Sequence, residues 1–460
     1  MLFKFAKTAP SDESVTQIII HQGSKTWFEV SADGRRSLQL GMGPAKSVKR
    51  RNYAAYLRKA LSQIKNQRLK NVALGTHDLM PAHLKLLPEA AGELMAANFE
   101  MANFEFLVYK TPPKEGWNLV EQVTLVGEAP PSFKKGIAAG QLIGQSVNET
   151  RVLANTPGGE MTPVGLAQAA REAIKGTRAR LKVLNVAQMK KLGMGAILGV
   201  AAGSPQPPRF IIMEYFGGAK SEKPLVLVGK GVTFDTGGLN LKPGDHIYEM
   251  HMDMSGGAAV IHALALAAKL NLKKNIIALV PAVENMLGGA SYRPGDILRT
   301  LSGKTVEVLN TDGEGRLILA DALTYAARYN PRLVVDVATL TGAAMVALGH
   351  RVNALFSSDE KIARQFVEIG EQTGDPVWPM PLWPEYEDDI RGNFADWANV
   401  GRSKMGGAIH GAVFLKQFVQ DYPWVHIDMA PRMTAAEGDY LAKGASGSPV
   451  PLLAAFLRKH

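Results

Sequence analysis

The sequence predicts an α/β fold: a larger domain with a mostly parallel central sheet flanked by helices, preceded by a smaller α/β domain. Four near-continuous runs of β-branched residues and leucine are typical of strands buried on both faces. They occupy residues 225–228, 276–280, 306–309 and 333–337. Helical stretches at 255–270 and 317–329 separate several of these runs, and such alternation favours a parallel sheet. The 460 residues suffice for two or three domains of roughly 150 residues each.

The first 130 residues show the same alternation in shorter elements. Strands are predicted at 17–20, 26–30, 71–74, 104–109 and 123–126. Ahead of the third strand, apolar residues recur at helical spacing, which predicts an amphipathic helix. They are Val48, Tyr53, Leu57, Leu61 and Ile64. We therefore assign residues 1–130 to an N-terminal α/β domain.

Consecutive prolines at Pro130 and Pro131 mark the end of this domain, because they stop helices and favour extended chain. The apolar residues that follow predict a linker helix over 131–154. Thr162 and Pro163 form an N-cap and first-turn pair that starts the next helix. A second, larger domain is predicted over 155–460.

The composition excludes several classes of protein. The chain has no cysteine, which rules out a thiol nucleophile, a Cys-ligated metal centre and a disulfide framework. No apolar run reaches the ~18 residues of a membrane span, and the first residues lack the apolar stretch of a signal peptide. We therefore expect a cytoplasmic protein with no membrane partner.

The net charge of +10 is concentrated in one segment, 46–71, which carries nine Lys and Arg residues and no Asp or Glu. Nine cations could neutralise several phosphates, so docking of DNA is one hypothesis. A subunit surface is another. No base-reading motif or aromatic platform accompanies the charges, so we favour a solvated helix face over a DNA-binding one.

Three acidic, Gly-rich segments stand out, and each is expected to follow a strand. They are residues 229–242, 252–257 and 310–316. Taken singly, each is more typical of a solvated turn. Ligands bind beyond the carboxyl ends of strands in open parallel sheets, however, so three such loops predict one convergent site.

These segments contain four carboxylates: Asp235, Asp253, Asp312 and Glu314. Brought together, they would repel one another and their pKa values would rise unless cations neutralised them. Carboxylate-rich ligation without cysteine favours Mg²⁺, Mn²⁺ or Zn²⁺, and a pair of metals could clamp both sides of a hydrolysed bond. The residues therefore predict a divalent-metal site.

At these residues the sequence resembles the leucyl aminopeptidase family, the cytosolic M17 metallopeptidases. The family hallmark Asn-Thr-Asp-Ala-Glu-Gly-Arg-Leu stands here as residues 310–317, with Gly313 in place of Ala. The Lys-Gly-x-Thr-Phe-Asp…Lys segment that begins at Lys230 also matches, as does the Asp-Met-x-Gly-Gly segment that begins at Asp253. Further agreement extends the resemblance over residues 155–460, which would make this the catalytic metallopeptidase domain.

The resemblance implies a role for each matching residue. Those that match the ligands of two divalent ions are Lys230, Asp235, Asp253, Asp312 and Glu314. Among them, Asp235 and Glu314 would bridge the two ions, which would be Mn²⁺ or Zn²⁺, with Mg²⁺ as an alternative. The catalytic pair is matched by Lys242 and Arg316. Positions associated with the substrate pocket are Met250, Asn240, Thr339 and Leu340.

In the implied mechanism, a metal-bridging water attacks the scissile carbonyl of a peptide whose free amine is bound to metal. Lys242 would stabilise the oxyanion, and Arg316 would hold a bicarbonate that acts as general base. Lys230 could ligate only as a neutral amine, which two adjacent dications would favour by lowering its pKa. The resemblance also implies peptide substrates with a free N-terminus, a leucine-like preference, a role in intracellular peptide turnover and a homohexamer.

Two residues depart from the family pattern. Gly313 is expected to loosen a loop whose backbone contributes to the site, and Asn240 stands close to Lys242 where Ser is common. Neither change removes a matched ligand or a member of the catalytic pair, so we expect activity. The N-terminal domain resembles the family, in which it is macro-domain-like, only in size and α/β character.

Overall fold

A computed structural model describes residues 1–32, 34–403 and 405–460, which form two compact units. The first contains Met1–Asn148 with Glu371–Gly374 and Ala435–Lys443. The second contains Glu149–Gly370, Asp375–Thr434 and Gly444–His460. The α/β fold class is confirmed, because each unit has a sheet covered by helices.

The first unit is built on a six-stranded sheet. Its strands are β1 (Leu2–Ala6), β2 (Thr16–His21), β3 (Trp27–Val30), β4 (Arg36–Gly41), β5 (Asn71–Gly75) and β6 (Gln122–Val126). Its helices are α1 (Tyr53–Asn66), α2 (Pro88–Asn103) and the first part of α3 (Pro131–Asn155). The strand order is β1-β6-β5-β2-β4-β3, and all pairs are parallel except β3–β4.

The predicted strand at 104–109 is wrong. These residues are irregular chain, and Val108 and Tyr109 are 66% and 52% exposed. The rings of Phe106 and Tyr109 meet edge to face with centroids 5.8 Å apart. The apolar run therefore covers a surface loop and does not enter the sheet.

The basic segment 46–71 is not the uniformly solvated face that was expected. Helix α1 covers only Tyr53–Asn66, and two of its three cations, Arg58 and Lys65, are buried. The Arg58 side chain donates to the Asp439 carbonyl (2.7 Å) and to Asn98 Oδ1 (3.0 Å). Lys65 Nζ lies 2.5 Å from Glu105 Oε1. These two cations stabilise the first unit and are not available to a polyanion.

The second unit holds the larger sheet. Its strands are β7 (Arg180–Leu184), β8 (Arg209–Phe216), β9 (Leu225–Gly229), β10 (Gly231–Asp235), β11 (Asn275–Asn285), β12 (Ile297–Arg299), β13 (Thr305–Glu307), β14 (Leu333–Ala338), β15 (Asn353–Ser357), β16 (Val377–Pro379), β17 (Trp397–Ala398) and β18 (Trp424–Asp428). Its helices are α4 (Pro163–Ala173), α5 (Val186–Leu192), α6 (Gly195–Val200), α7 (Ser255–Lys269), α8 (Glu314–Ala326), α9 (Gly342–Leu348), α10 (Glu360–Thr373), α11 (Gly407–Lys416) and α12 (Val450–Lys459). Helix α4 starts as predicted, with Thr162 Oγ1 accepting from the Gly165 amide at 3.2 Å.

The central sheet is parallel in its middle and has antiparallel pairs towards both flanks, and the edge pair β16–β15 is parallel again. The order is β16-β15-β18-β14-β9-β11-β8-β7, with β10 paired to β11. The pairs β18–β14, β14–β9, β9–β11 and β11–β10 are parallel, whereas β15–β18, β11–β8 and β8–β7 are antiparallel. Three of the four predicted buried runs lie in this sheet, as β9, β11 and β14.

The fourth run is placed differently. Residues 305–307 form β13 of a separate three-stranded sheet in the order β12-β13-β17. The expectation that each acidic segment follows a strand also fails at 252–257, which follows a 3-10 helix, Met250–Met252. The segment 310–316 follows strand β13. This strand pairs with the short strands β12 and β17 and not with a strand of the central sheet.

Helix packing still brings the segments together at the carboxyl edge of the central sheet. The Gly257 amide donates to the Lys230 carbonyl at 2.7 Å. A Cβ at Gly256 would lie only 2.2 Å from the Val337 carbonyl oxygen, so glycine lets α7 meet the end of β14. Among the described residues, no helix is long and apolar enough to cross a membrane.

Candidate metal centre

The carboxylates predicted from the sequence converge. Asp235 is the last residue of β10, Asp312 lies in the turn before α8, and Glu314 is the first residue of α8. One carboxylate oxygen from each of these three residues lies within 4.8 Å of the other two. Asp253 joins them through Lys230, whose Nζ is 2.8 Å from Asp253 Oδ2 and 2.8 Å from Glu314 Oε1. All five residues that match metal ligands therefore meet in one place.

Lys242 completes the cluster from the loop after β10. Its Nζ lies 2.8 Å from Asp235 Oδ2 and 2.6 Å from Asp312 Oδ1. Four ionised carboxylates face only two amines at ion-pair distance, so the carboxylates outnumber the ammonium groups by two. Apart from Asp312 and Lys242, the charged groups are buried, and buried charge without a partner is strongly unfavourable.

The excess of carboxylates shifts the pKa values of the clustered acids. Burial, with the nearby Glu314 and Asp253 charges, raises the pKa of Asp235 well above its ordinary value. Burial likewise raises the pKa of Asp253 to about 7, against the attraction of Lys230. Burial opposes ionisation of Glu314 too, but Lys230 and Lys242 hold its pKa below the ordinary value. Without added positive charge the centre therefore retains protons, which metal cations would displace.

The donor atoms fit divalent metals. Asp253 Oδ2 and Glu314 Oε1 are buried, and each forms an ion pair with Lys230 Nζ at 2.8 Å. Neither oxygen accepts a well-aligned hydrogen bond from any of the described residues. Carboxylate oxygens with one amine suit Mn²⁺, Zn²⁺ or Mg²⁺. Lys230 Nζ is held in place by donation to the Thr339 carbonyl at 2.8 Å.

A network of neutral side chains holds the two acidic loops, and sequence reasoning missed most of it. Asn285 Nδ2 donates to Asp235 Oδ1 (2.7 Å) and to the Thr311 carbonyl (3.0 Å). Asn285 ends β11, directly opposite Asp235 in the β10–β11 pairing, which is the signal that could have identified it. Asn240 Oδ1 accepts from the Thr311 amide at 2.9 Å. The predicted pocket residue Asn240 thus ties one loop to the other.

The other predicted pocket residues are Thr339, Leu340 and Met250, of which Thr339 contacts the acidic cluster directly. Thr339 Oγ1 donates to Asp253 Oδ1 at 2.6 Å, so it orients a proposed metal ligand. The Leu340 amide donates to Asp428 Oδ1 at 3.1 Å; Asp428 is a buried residue at the end of β18 that sequence reasoning gave no role. Leu340 and Met250 are half-buried. Contacts of these residues with substrate stay a prediction.

Arg316 lies in the first turn of α8 and is buried. Its Nη1 donates to the Asn399 carbonyl at 2.8 Å, while Nε has no partner among the described residues. Burial lowers the pKa of Arg316, against the attraction of Glu314 and Asp428. Burial also opposes ionisation of Lys242, but the carboxylates around it, Asp235 foremost, raise its pKa. The centre therefore presents an ammonium and a guanidinium beside its acidic cluster.

Comparison with known proteins gives the same identification. Residues 148–454 match the family model described as the cytosol aminopeptidase family, catalytic domain. The probable cytosol aminopeptidase of Syntrophotalea carbinolica is 44% identical over 395 residues, which cover 85% of this chain and 79% of that protein. Its counterpart in Burkholderia pseudomallei is 40% identical over 442 residues, which cover 94% and 86%.

Among solved structures, the bottromycin maturation enzyme BotP in complex with Mn is similar, with a TM-score of 0.85 and 30% sequence identity. The similarity covers 97% of this chain and 99% of that one. The catalytic-domain match spans two-thirds of the chain, and it includes every residue of the acidic cluster. The chain belongs to the cytosol aminopeptidase family.

Proposed function

We propose that this protein is a metal-dependent aminopeptidase that uses two divalent metal ions to release N-terminal residues from peptides. The observation that carries the proposal is the buried excess of carboxylate over ammonium at the meeting point of β10, α7 and α8. Family membership supports the reaction class, and the Mn complex of a similar enzyme supports the choice of metal.

Lys230, Asp235, Asp253, Asp312 and Glu314 would hold the metals. When bound, the ions would supply an activated water and Lewis-acid polarisation of the scissile carbonyl. The Lys242 ammonium would donate to the oxygen on which negative charge develops. The buried Arg316 guanidinium has an Nε donor without a partner among the described residues, so it would suit a small anion such as bicarbonate, which when bound would supply a general base.

Further features of the proposal rest on the family. We assign catalysis to residues 155–460, with 1–130 as a separate domain and 131–154 as the linker. Substrates would be peptides with a free amine and a leucine-like first residue, hydrolysed in the cytoplasm during peptide turnover by a homohexamer. The names of the relatives support the cytoplasmic location. The comparisons give no support to DNA binding by segment 46–71.

The test is hydrolysis of a leucine chromogenic amide by protein stripped with chelator and then given Mn²⁺ or Zn²⁺. An N-acetylated version of the same substrate is the control, because it lacks the free amine. We expect metal-restored cleavage of the free-amine substrate only. Equal cleavage of both substrates would contradict an aminopeptidase, and cleavage that survives chelation would contradict metal dependence.

A further inference from the structure

The three-stranded sheet β12-β13-β17 places a buried asparagine, Asn399, next to the turn that carries Asp312 and Glu314. Strands β13 and β17 are parallel, with Val306 opposite Trp397 and Glu307 opposite Ala398. The next residue, Asn399, continues the pairing, since its amide donates to the Glu307 carbonyl at 3.0 Å. Asn399 therefore emerges beside the chain that leaves β13 towards Asp312.

The side chain of Asn399 is fully buried. Both of its polar atoms form hydrogen bonds with the backbone of residues 309–310, between β13 and Asp312. Its Oδ1 accepts from the amides of Leu309 (2.8 Å) and Asn310 (3.3 Å). Its Nδ2 donates to the Asn310 carbonyl at 2.6 Å. These bonds fix the backbone two residues before Asp312 and four before Glu314.

The absence of a side chain at Gly313 leaves space for the Asn399 amide. A Cβ at Gly313 would lie 2.8 Å from Asn399 Nδ2 and 3.2 Å from Val400 Cγ1. The φ of Gly313 is −103°, so the backbone itself does not call for glycine. The sequence predicted that glycine in place of alanine would loosen this loop. The Asn399 amide offsets that effect, because it occupies the space that an alanine side chain would need and its hydrogen bonds hold the turn.

The main chain of Asn399 reaches a second functional group. Its carbonyl accepts from Arg316 Nη1 at 2.8 Å, whereas Arg316 Nε has no partner among the described residues. Asn399 therefore contacts both the turn that bears Asp312 and the guanidinium of Arg316 in the first turn of α8.

We propose that Asn399 is a positioning residue of the metal centre: its amide holds the turn that presents Asp312 and Glu314, and its carbonyl orients Arg316. The inference rests on the proposed function and deepens it. Partners that orient metal ligands typically change metal affinity about 10- to 100-fold when removed. Since the turn is held by side-chain bonds, truncation of the side chain should weaken metal binding.

The test is calorimetric titration of Mn²⁺ into chelator-stripped protein, which reads binding and not turnover. Asn399→Ala should weaken Mn²⁺ binding about 10- to 100-fold. Asn399→Ser, which keeps one hydrogen-bonding group, should fall between Asn399→Ala and wild type and gives a milder variant if alanine impairs folding. The matched control is Asn103→Ala, because Asn103 makes the same two-sided contact, to Val120, in the other unit. The control should lower thermal stability and leave Mn²⁺ affinity unchanged.

Affinities within twofold of wild type for both Asn399 variants would overturn the inference while leaving the proposed function intact. Equal weakening in Asn103→Ala would also overturn it, because the effect would then be one of general stability. Wild-type protein that binds no Mn²⁺ would overturn the proposed function and this inference with it.

Discussion

Charged side chains are buried in both units of this protein, but their partners differ. In the first unit, Arg58 is matched by a carbonyl and an amide oxygen, and Lys65 by the single carboxylate of Glu105. In the second unit, four carboxylates surround Lys230 and Lys242. Buried charge that is paired locally stabilises a fold, whereas a buried excess of one sign favours the binding of a counter-ion.

The largest expected effect comes from removing a charge from the excess. Glu314→Gln should abolish metal-dependent turnover, because Glu314 contacts Lys230 and lies within the converging carboxylates. The matched control is Glu100→Gln, a buried glutamate of the first unit, which should retain activity. Leucine amide hydrolysis at saturating Mn²⁺ measures both. Activity of Glu314→Gln equal to that of the control would show that this carboxylate is not needed for the reaction.

Removing positive charge from the same cluster should have a different signature. Lys242→Met should lower kcat about 10²- to 10³-fold, as expected for loss of a donor to a developing oxyanion. Mn²⁺ binding should persist, since the change adds no competing cation and leaves every carboxylate in place. Lys269→Met, which removes a lysine paired with Glu149 elsewhere in the second unit, is the control. Loss of Mn²⁺ binding in Lys242→Met, with the control intact, would contradict the assigned role.

The excess of carboxylate also predicts an unusual pH dependence. Because the folded-state pKa of Asp253 is raised to about 7 and that of Asp235 is also raised, the native state holds protons that the unfolded chain releases above pH 3.8. The metal-free protein should therefore lose stability as the pH rises from about 4 to 7. The lowered pKa of Glu314 acts in the opposite sense, and only at more acidic pH.

Thermal unfolding of chelated and Mn²⁺-loaded protein between pH 5 and 8 measures this effect. The increase in Tm on adding Mn²⁺ should grow with pH, because metal binding requires ionised carboxylates. Asp253→Asn should reduce the pH dependence of the chelated protein without abolishing it, because burial also raises the pKa of Asp235 and of Asp321. A chelated wild-type protein whose Tm rises steadily over this range would contradict the assignment.

The smallest effect on activity is expected in the first unit. Arg58→Ala should destabilise the protein by about 1–3 kcal/mol through the loss of buried hydrogen bonds, with kcat and KM unchanged. Denaturant unfolding and leucine amide hydrolysis measure the two quantities. A fall in kcat without loss of stability would mean that the buried cations of this unit do more than support its fold.

The parts of the protein that sequence reasoning located are those with a strong local signal. The buried strands β9, β11 and β14 are near-continuous apolar runs, and the acidic loops carry an ordered family motif. Asn285 and Asn399 escaped notice because neutral amides at strand ends have no distinctive spacing. Their roles depend on which strands become neighbours, and the placement of residues 305–307 in a small separate sheet was not predicted.

The most direct test of the central claim is the stoichiometry of Mn²⁺ binding to chelator-stripped wild-type protein, measured by calorimetry beside Glu314→Gln and Glu100→Gln. The buried excess of carboxylate predicts that wild type and Glu100→Gln bind divalent metal, and the proposed function sets the number at two ions per chain, with binding disrupted in Glu314→Gln. Absence of Mn²⁺ and Zn²⁺ binding in wild type, or identical titrations for all three proteins, would contradict the assignment of this cluster as the metal centre.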